Sequence, residues 1–148
     1  MMTILCVDDD PATTELIALL LKPYGFQVLT TTQPQEVVPL ILKHPLQAIV
    51  LDLMMPEMDG CQVCQAVRQV SNIPILILSA LNDPQTIAAA LDSGADDYLT
   101  KPVAGNILAA HLSRLIKRQE SSSINNRDVL PSKLLLKPSI SSAPTEGS

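Results

Sequence analysis

The chain contains no tryptophan and only three aromatic residues, Tyr24, Phe26 and Tyr98, which excludes a core organised around large rings and leaves packing to Leu, Ile, Val and Ala. Positive charge is equally scarce. Residues 1–118 hold 7 Lys/Arg against 12 Asp/Glu and the remaining thirty hold three of each, so the net charge of −5 comes from the first part alone. A direct nucleic-acid surface is disfavoured, because phosphate contacts need clustered Lys and Arg. No segment approaches the roughly 20 consecutive apolar residues of a membrane span. Met1-Met2-Thr3 leads straight into an apolar run and an acid cluster, without the layout of a signal peptide. Cytoplasmic residence is therefore expected, and the odd set of cysteines, Cys6, Cys61 and Cys64, agrees with a reducing compartment.

What is present is aliphatic and ordered. At 148 residues and 47% hydrophobic, the chain can form one domain with something left over. Apolar or β-branched runs at 3–7, 26–30, 47–51, 74–78 and 96–99 predict strands. The first, third and fourth are continuous, as central strands covered on both faces should be, and the second and fifth look like edges. Between them the helical period predicts helices near 12–22, 34–43, 60–70, 84–93 and 104–118. Pro11, Pro34 and Pro84 suit first-turn positions. Thr32 or Gln33 and Asn82 or Asp83 suit caps. Pro39 should kink or weaken the second helix, and Leu16, Leu19, Leu20 and Leu21 should form the buried stripe of the first. This alternation implies an α/β fold with a parallel sheet and right-handed crossovers. From 119 to 148 the composition turns to eight Ser and three Pro without periodicity, which reads as a flexible tail or linker. Within it, Leu134-Leu135-Leu136 reads either as a docking peptide or as the start of a further element.

The chemistry-bearing residues fall at strand ends. Asp8, Asp9 and Asp10 follow the first run, Asp52 the third, Ser79 the fourth and Lys101 the fifth. The carboxyl ends of parallel strands share one edge of the sheet, where ligands bind, so these residues should gather in one pocket. Two carboxylates about 4 Å apart repel by roughly 4 kcal/mol at an effective dielectric near 20, which calls for a balancing cation. Mg²⁺ suits hard oxygen ligands and leaves coordination positions for water or phosphate. Asp52 could then serve as a nucleophile toward a phosphoryl group, with Lys101 neutralising one phosphoryl oxygen and the Ser79 hydroxyl donating to another.

Val7-Asp8-Asp9-Asp10, Leu51-Asp52-Leu53-Met54-Met55-Pro56-Glu57-Met58-Asp59-Gly60, Ser79-Ala80 and Gly94-Ala95-Asp96-Asp97-Tyr98-Leu99-Thr100-Lys101-Pro102 resemble the receiver domain of two-component response regulators, over about residues 2–118. The resemblance implies a flavodoxin-like (βα)₅ fold with strand order 2-1-3-4-5 and helices on both faces, a receiver at 1–118 and a tail at 119–148. It implies Asp52 as phosphoacceptor for a sensor histidine kinase, with Mg²⁺ held by Asp9, Asp52 and the main-chain carbonyl of Met54, and Asp8 acting mainly through water. Ser79 and Tyr98 would be the switch residues, Lys101 the pocket lysine, and Lys101-Pro102 a cis bond. Such a protein is a phosphorylated regulator that catalyses only its own phosphorylation and dephosphorylation. Its output surface would be that of the fourth helix, fifth strand and fifth helix, where DNA-binding relatives form homodimers through charged pairs. Here Ile87 and Ile107 stand where an Arg/Glu pair is usual and His111 where an arginine is usual, so an exposed apolar patch is expected instead. Met54 and Leu81 stand where fast-resetting members carry polar groups, which implies a long-lived phosphoryl group.

Two other functions compete. A pseudo-receiver would bind partners without phosphorylation, and the complete acid, hydroxyl and lysine set opposes it. A phosphoaspartate hydrolase of the haloacid dehalogenase type wants a second carboxylate two residues after the nucleophile, where this chain has Met54. The receiver motifs look most like those of winged-helix transcriptional regulators, leaving open a single-domain protein or a receiver cut from a transcription factor. Cys61 and Cys64, one helical turn apart, read as packing rather than as a redox pair. His44 and His111 read as surface or interface residues.

Overall fold

A computed structural model describes residues 2–133, with side chains through Ser121. Strands β1 (Met2–Val7), β2 (Phe26–Thr31), β3 (Ala48–Leu51), β4 (Ile75–Ser79) and β5 (Asp97–Thr100) alternate with helices α1 (Pro11–Leu21), α2 (Val37–Lys43), α3 (Gly60–Arg68), α4 (Pro84–Asp92) and α5 (Gly105–Lys133). The strands form one parallel sheet in the order β2-β1-β3-β4-β5. The two polar strands are the edges, as their composition requires.

Side-chain alternation along each central strand divides the core between the two faces. Leu5, Val7, Ile49, Leu51, Ile75 and Ile77 pack with residues of α2, α3 and α4. Ile4, Cys6, Ala48, Val50, Leu76 and Leu78 pack with Ile17 and Leu21 of α1 and Leu108 and Leu112 of α5. Each of these leucines is almost wholly buried, worth roughly 2 kcal/mol apiece on transfer from water. Val7 lies opposite Leu51 in the ladder, and Ser79 lies opposite Thr100. That register puts Asp8 beside Asp52 and brings Lys101 to the same edge.

Several expectations are corrected. In α1, Leu16 and Leu19 are 54% and 67% exposed and Leu20 is half-buried, whereas Thr14, Ile17 and Leu21 face the sheet. Residues 14, 17 and 21 follow the helical period, and adjacent leucines 100° apart cannot all share a face. Pro39 does not kink α2: a 3₁₀ turn occupies Pro34–Glu36, α2 starts at Val37, and Pro39 falls in its first turn, where no N–H is needed. Asp83 caps α4 by accepting from Thr86, while Gln33 makes no side-chain cap bond. Helix α5 runs past 118 to Lys133, through a stretch (119–130) free of glycine and proline. The chain divides into two units, Met1–Ile116 and Lys117–Ser148. Leu134-Leu135-Leu136 lies outside the described residues. Among those described, no helix is long and apolar enough to cross a membrane.

Arg68, at the end of α3, binds the lower edge together. Its guanidinium donates to the carbonyls of Gly94, Ser71 and Ile73 and to Asp96 Oδ2 at 2.7–3.2 Å. Asp96 Oδ2 also accepts from the Ile75 N–H at 2.8 Å. Gly94 lies at φ +120°, and a Cβ there would sit 2.7 Å from Arg68 Cγ, so both backbone and space demand glycine.

Candidate functional site

Each pocket residue is delivered by the end of a strand. Asp52 N–H donates to the Val7 carbonyl at 3.0 Å and Asp8 N–H to the Thr31 carbonyl at 3.3 Å, extending the ladders past the strands. Carboxylate oxygens of Asp8, Asp9 and Asp52 lie within 4.8 Å of one another. Asp8 and Asp52 are buried, and Asp9 is exposed at the mouth. Lys101 Nζ is 2.8 Å from Asp8 Oδ2 and 3.7 Å from Asp52 Oδ2. The Lys101–Pro102 peptide is cis.

The loop after β3 is closed tightly. Gly60 N–H donates to the Leu53 carbonyl at 3.1 Å, and a Cβ on Gly60 would come within 2.6–2.9 Å of Leu53 atoms and the Asp52 carbonyl. Asp59 caps α3 in a reciprocal capping box with Gln62. Met54 N–H donates to Asp52 Oδ1 at 3.3 Å, while the residue as a whole is 55% exposed. Ser79 is fully buried at the end of β4 and its hydroxyl oxygen accepts from Leu81 N–H at 3.3 Å. The half-buried Tyr98 hydroxyl donates to the Leu81 carbonyl at 2.6 Å. The two expected switch residues are thus joined through one residue, Leu81.

Burial raises the Asp52 pKa above the ordinary carboxylate value; Lys101 lowers it, Asp8 raises it again, and burial prevails. Burial pulls the Lys101 ammonium down, but its hydrogen bond to Asp8 and the charge of Asp52 outweigh that and hold it charged. A raised carboxylate pKa means that the folded chain keeps its proton to higher pH than the unfolded chain. Stability is therefore lost as pH rises from the ordinary value of 3.8 through the folded value, and the charged form is a standing cost above it. Asp52→Asn is accordingly expected to melt higher than wild type at pH 7 in metal-free buffer. The advantage should vanish below the ordinary carboxylate range, which a melting series against pH checks.

Cys6 and Cys64 are pushed by burial up to about 12, so both thiols are inert at neutral pH, and all three cysteines are free. Asp10, expected in the pocket with Asp8 and Asp9, is outside that cluster and caps α1 instead, because its carboxylate accepts from the first turn of the helix. Sequence reasoning gave Asp59 and Arg68 no role. His111, expected at a surface or interface, is half-buried, and its Nδ1 lies 2.6 Å from Asp97 Oδ2, which Arg114 also contacts at 3.1 Å.

The family model described as the response regulator receiver domain matches residues 4–113. The chain belongs to that receiver family. This receiver is 35% identical over 126 residues to the transcriptional regulatory protein AfsQ1 of Streptomyces coelicolor, covering 85% of this chain and 56% of that protein. It is 34% identical over 117 residues to the DNA-binding response regulator MtrA of Mycolicibacterium smegmatis, covering 79% and 51%. Among solved structures it resembles the receiver domain of Francisella response regulator 1452, with 33% identity, a TM-score of 0.75, and coverage of 80% of this chain and 99% of that one. The receiver thus spans about half the length of the curated relatives it matches.

Proposed function

We propose that the chain is a phospho-accepting signalling switch in which Asp52 takes a phosphoryl group from a histidine kinase. The observation that carries this reading is the gathering of Asp8, Asp9 and Asp52 within 4.8 Å with Lys101 at their edge. Asp52 attacks the phosphorus through a carboxylate oxygen, the bond from phosphorus to the donor nitrogen breaks, and the donor imidazole leaves with the electron pair. Lys101, freed from Asp8, pairs with one phosphoryl oxygen, and the Ser79 hydroxyl donates to another. Tyr98 follows Ser79 because both bond Leu81.

The carboxylate set fits Mg²⁺, held by Asp9, Asp52 and the Met54 carbonyl. Bound there, it would supply positive charge against the carboxylates and the phosphoryl oxygens. Asp8 suits a water-mediated role, since its Oδ1 accepts from Asp10 N–H and its Oδ2 from Lys101.

Incubation with acetyl phosphate and Mg²⁺, followed by intact mass, tests the reading. One stable HPO₃ adduct, absent in Asp52→Asn, is expected. An unmodified chain would indicate a pseudo-receiver, and sustained turnover of the donor a hydrolase.

Relatives that are regulators of transcription, of which the matched region makes up about half, support residues 1–118 as the receiver, and 119–148 as the link, of a transcription regulator, for which the cytoplasm is the proposed location. The surface of α4, β5 and α5 is the proposed homodimer face. Asp96 and Asp97 are already satisfied within the chain, while Leu91 and Ile107 are exposed and Ile87 is half-buried. Apolar side chains beside neutralised charge favour association with little salt dependence. Sedimentation of phosphorylated protein should show a dimer that survives 0.5 M salt (roughly three times physiological ionic strength); dissociation at moderate salt would contradict this.

A further inference from the structure

Three aspartates follow β1, but only two of them join Asp52. Asp10 is turned away from the pocket. Its Oδ1 accepts the Ala12 N–H at 3.0 Å, its Oδ2 accepts the Thr13 hydroxyl at 3.1 Å, and its carbonyl accepts the N–H groups of Thr13 and Thr14. With φ −97° and ψ 111° it is the extended N-cap of α1, followed by Pro11, which has no N–H to satisfy. Its own N–H donates to Asp8 Oδ1 at 3.0 Å. Asp9 is therefore bracketed. Asp8 is pinned by Lys101 and by the main chain of residue 10, and residue 10 is pinned by the first turn of α1.

We infer that Asp10 is a positioning residue for the metal pocket, acting through its cap on α1 rather than through its charge. The inference rests on the reading of that pocket as the Mg²⁺ site. If the cap is lost, the first turn of α1 is free to open and the Asp8–Asp10 segment occupies its binding geometry only part of the time. Apparent affinity falls in proportion to that fraction. The rival explanation is electrostatic: a third carboxylate near the pocket attracts the cation at a distance. The two separate cleanly, because Asn and Ala remove the same charge while only Asn still accepts the capping bond.

The test is calorimetric titration of Mg²⁺ into the full chain as wild type, Asp10→Asn and Asp10→Ala, with hydrogen exchange of the residue-10 amide in metal-free buffer. Asp10→Ala should bind Mg²⁺ roughly fivefold more weakly than Asp10→Asn. Its residue-10 amide, which still has Asp8 as an acceptor, should lose protection that Asp10→Asn keeps. Equal affinities for the two variants would leave only the charge effect and overturn the proposal, as would equal amide protection. A wild type that binds no Mg²⁺ overturns the proposal together with the metal reading, and the wild-type titration itself tells that failure from the others.

Discussion

Phosphorylated protein should lose its phosphoryl group slowly, and the double variant Met54→Asn/Leu81→Glu should lose it about tenfold faster or more. Hydrolysis of an aspartyl phosphate requires a water held in line with the phosphorus, and a polar side chain that orients or deprotonates that water accelerates the step by at least this factor. Neither a thioether nor an aliphatic chain accepts a hydrogen bond of useful strength. Met54 stands exposed two residues beyond Asp52, able to fold over the mouth of the pocket, and Leu81 is half-buried two residues beyond Ser79. The contacts of Leu81 with Ser79 and Tyr98 are made by its main chain, so a new side chain leaves them in place. Decay of the phosphorylated proteins in Mg²⁺, followed by intact mass, gives the comparison. Equal rates, or a faster wild type, would mean that both side chains simply point to solvent.

The second large effect concerns Asp9. Of the clustered carboxylates it alone is exposed, and none of the hydrogen bonds described engages its side chain, so it is free to meet an incoming cation. Binding to the folded state alone stabilises by mass action, about 2.7 kcal/mol at a hundredfold excess over Kd, which for a domain of this size is on the order of 10 °C in melting temperature. Asp9→Ala should lose most of that gain. Without metal it should melt no lower than wild type, because it also removes repulsion within the cluster. A melt in which Mg²⁺ stabilises wild type and Asp9→Ala equally would exclude Asp9 as a ligand.

The sheet and its functional edge were legible because central parallel strands are written as uninterrupted apolar runs, and the residue after each run must land at the carboxyl edge. Val7 opposite Leu51 brings the residues that follow them, Asp8 and Asp52, side by side. Helix faces were less legible. In a leucine-rich helix such as α1, hydrophobicity alone does not choose the buried side, and Thr14 is buried where Leu16 and Leu19 are not. The tertiary role of Arg68 left no local signal, since its acceptors are carbonyls and a carboxylate up to 28 residues away. The same holds for His111, whose partner Asp97 lies 14 residues upstream. Asp10 was hidden in plain view: a run of identical acids does not reveal that one of them caps a helix.

Borohydride trapping tests the central claim most directly. An acyl phosphate is reduced by borohydride to the alcohol, so a phosphorylated aspartate becomes homoserine while free carboxylates are left unchanged. The full chain is incubated with acetyl phosphate and Mg²⁺, reduced, digested and sequenced by mass spectrometry. Homoserine at position 52, and at neither Asp8 nor Asp9, is the expected result. Homoserine at another aspartate, or none at all in protein that carries the phosphoryl mass, would contradict the assignment of Asp52 as the phosphoacceptor.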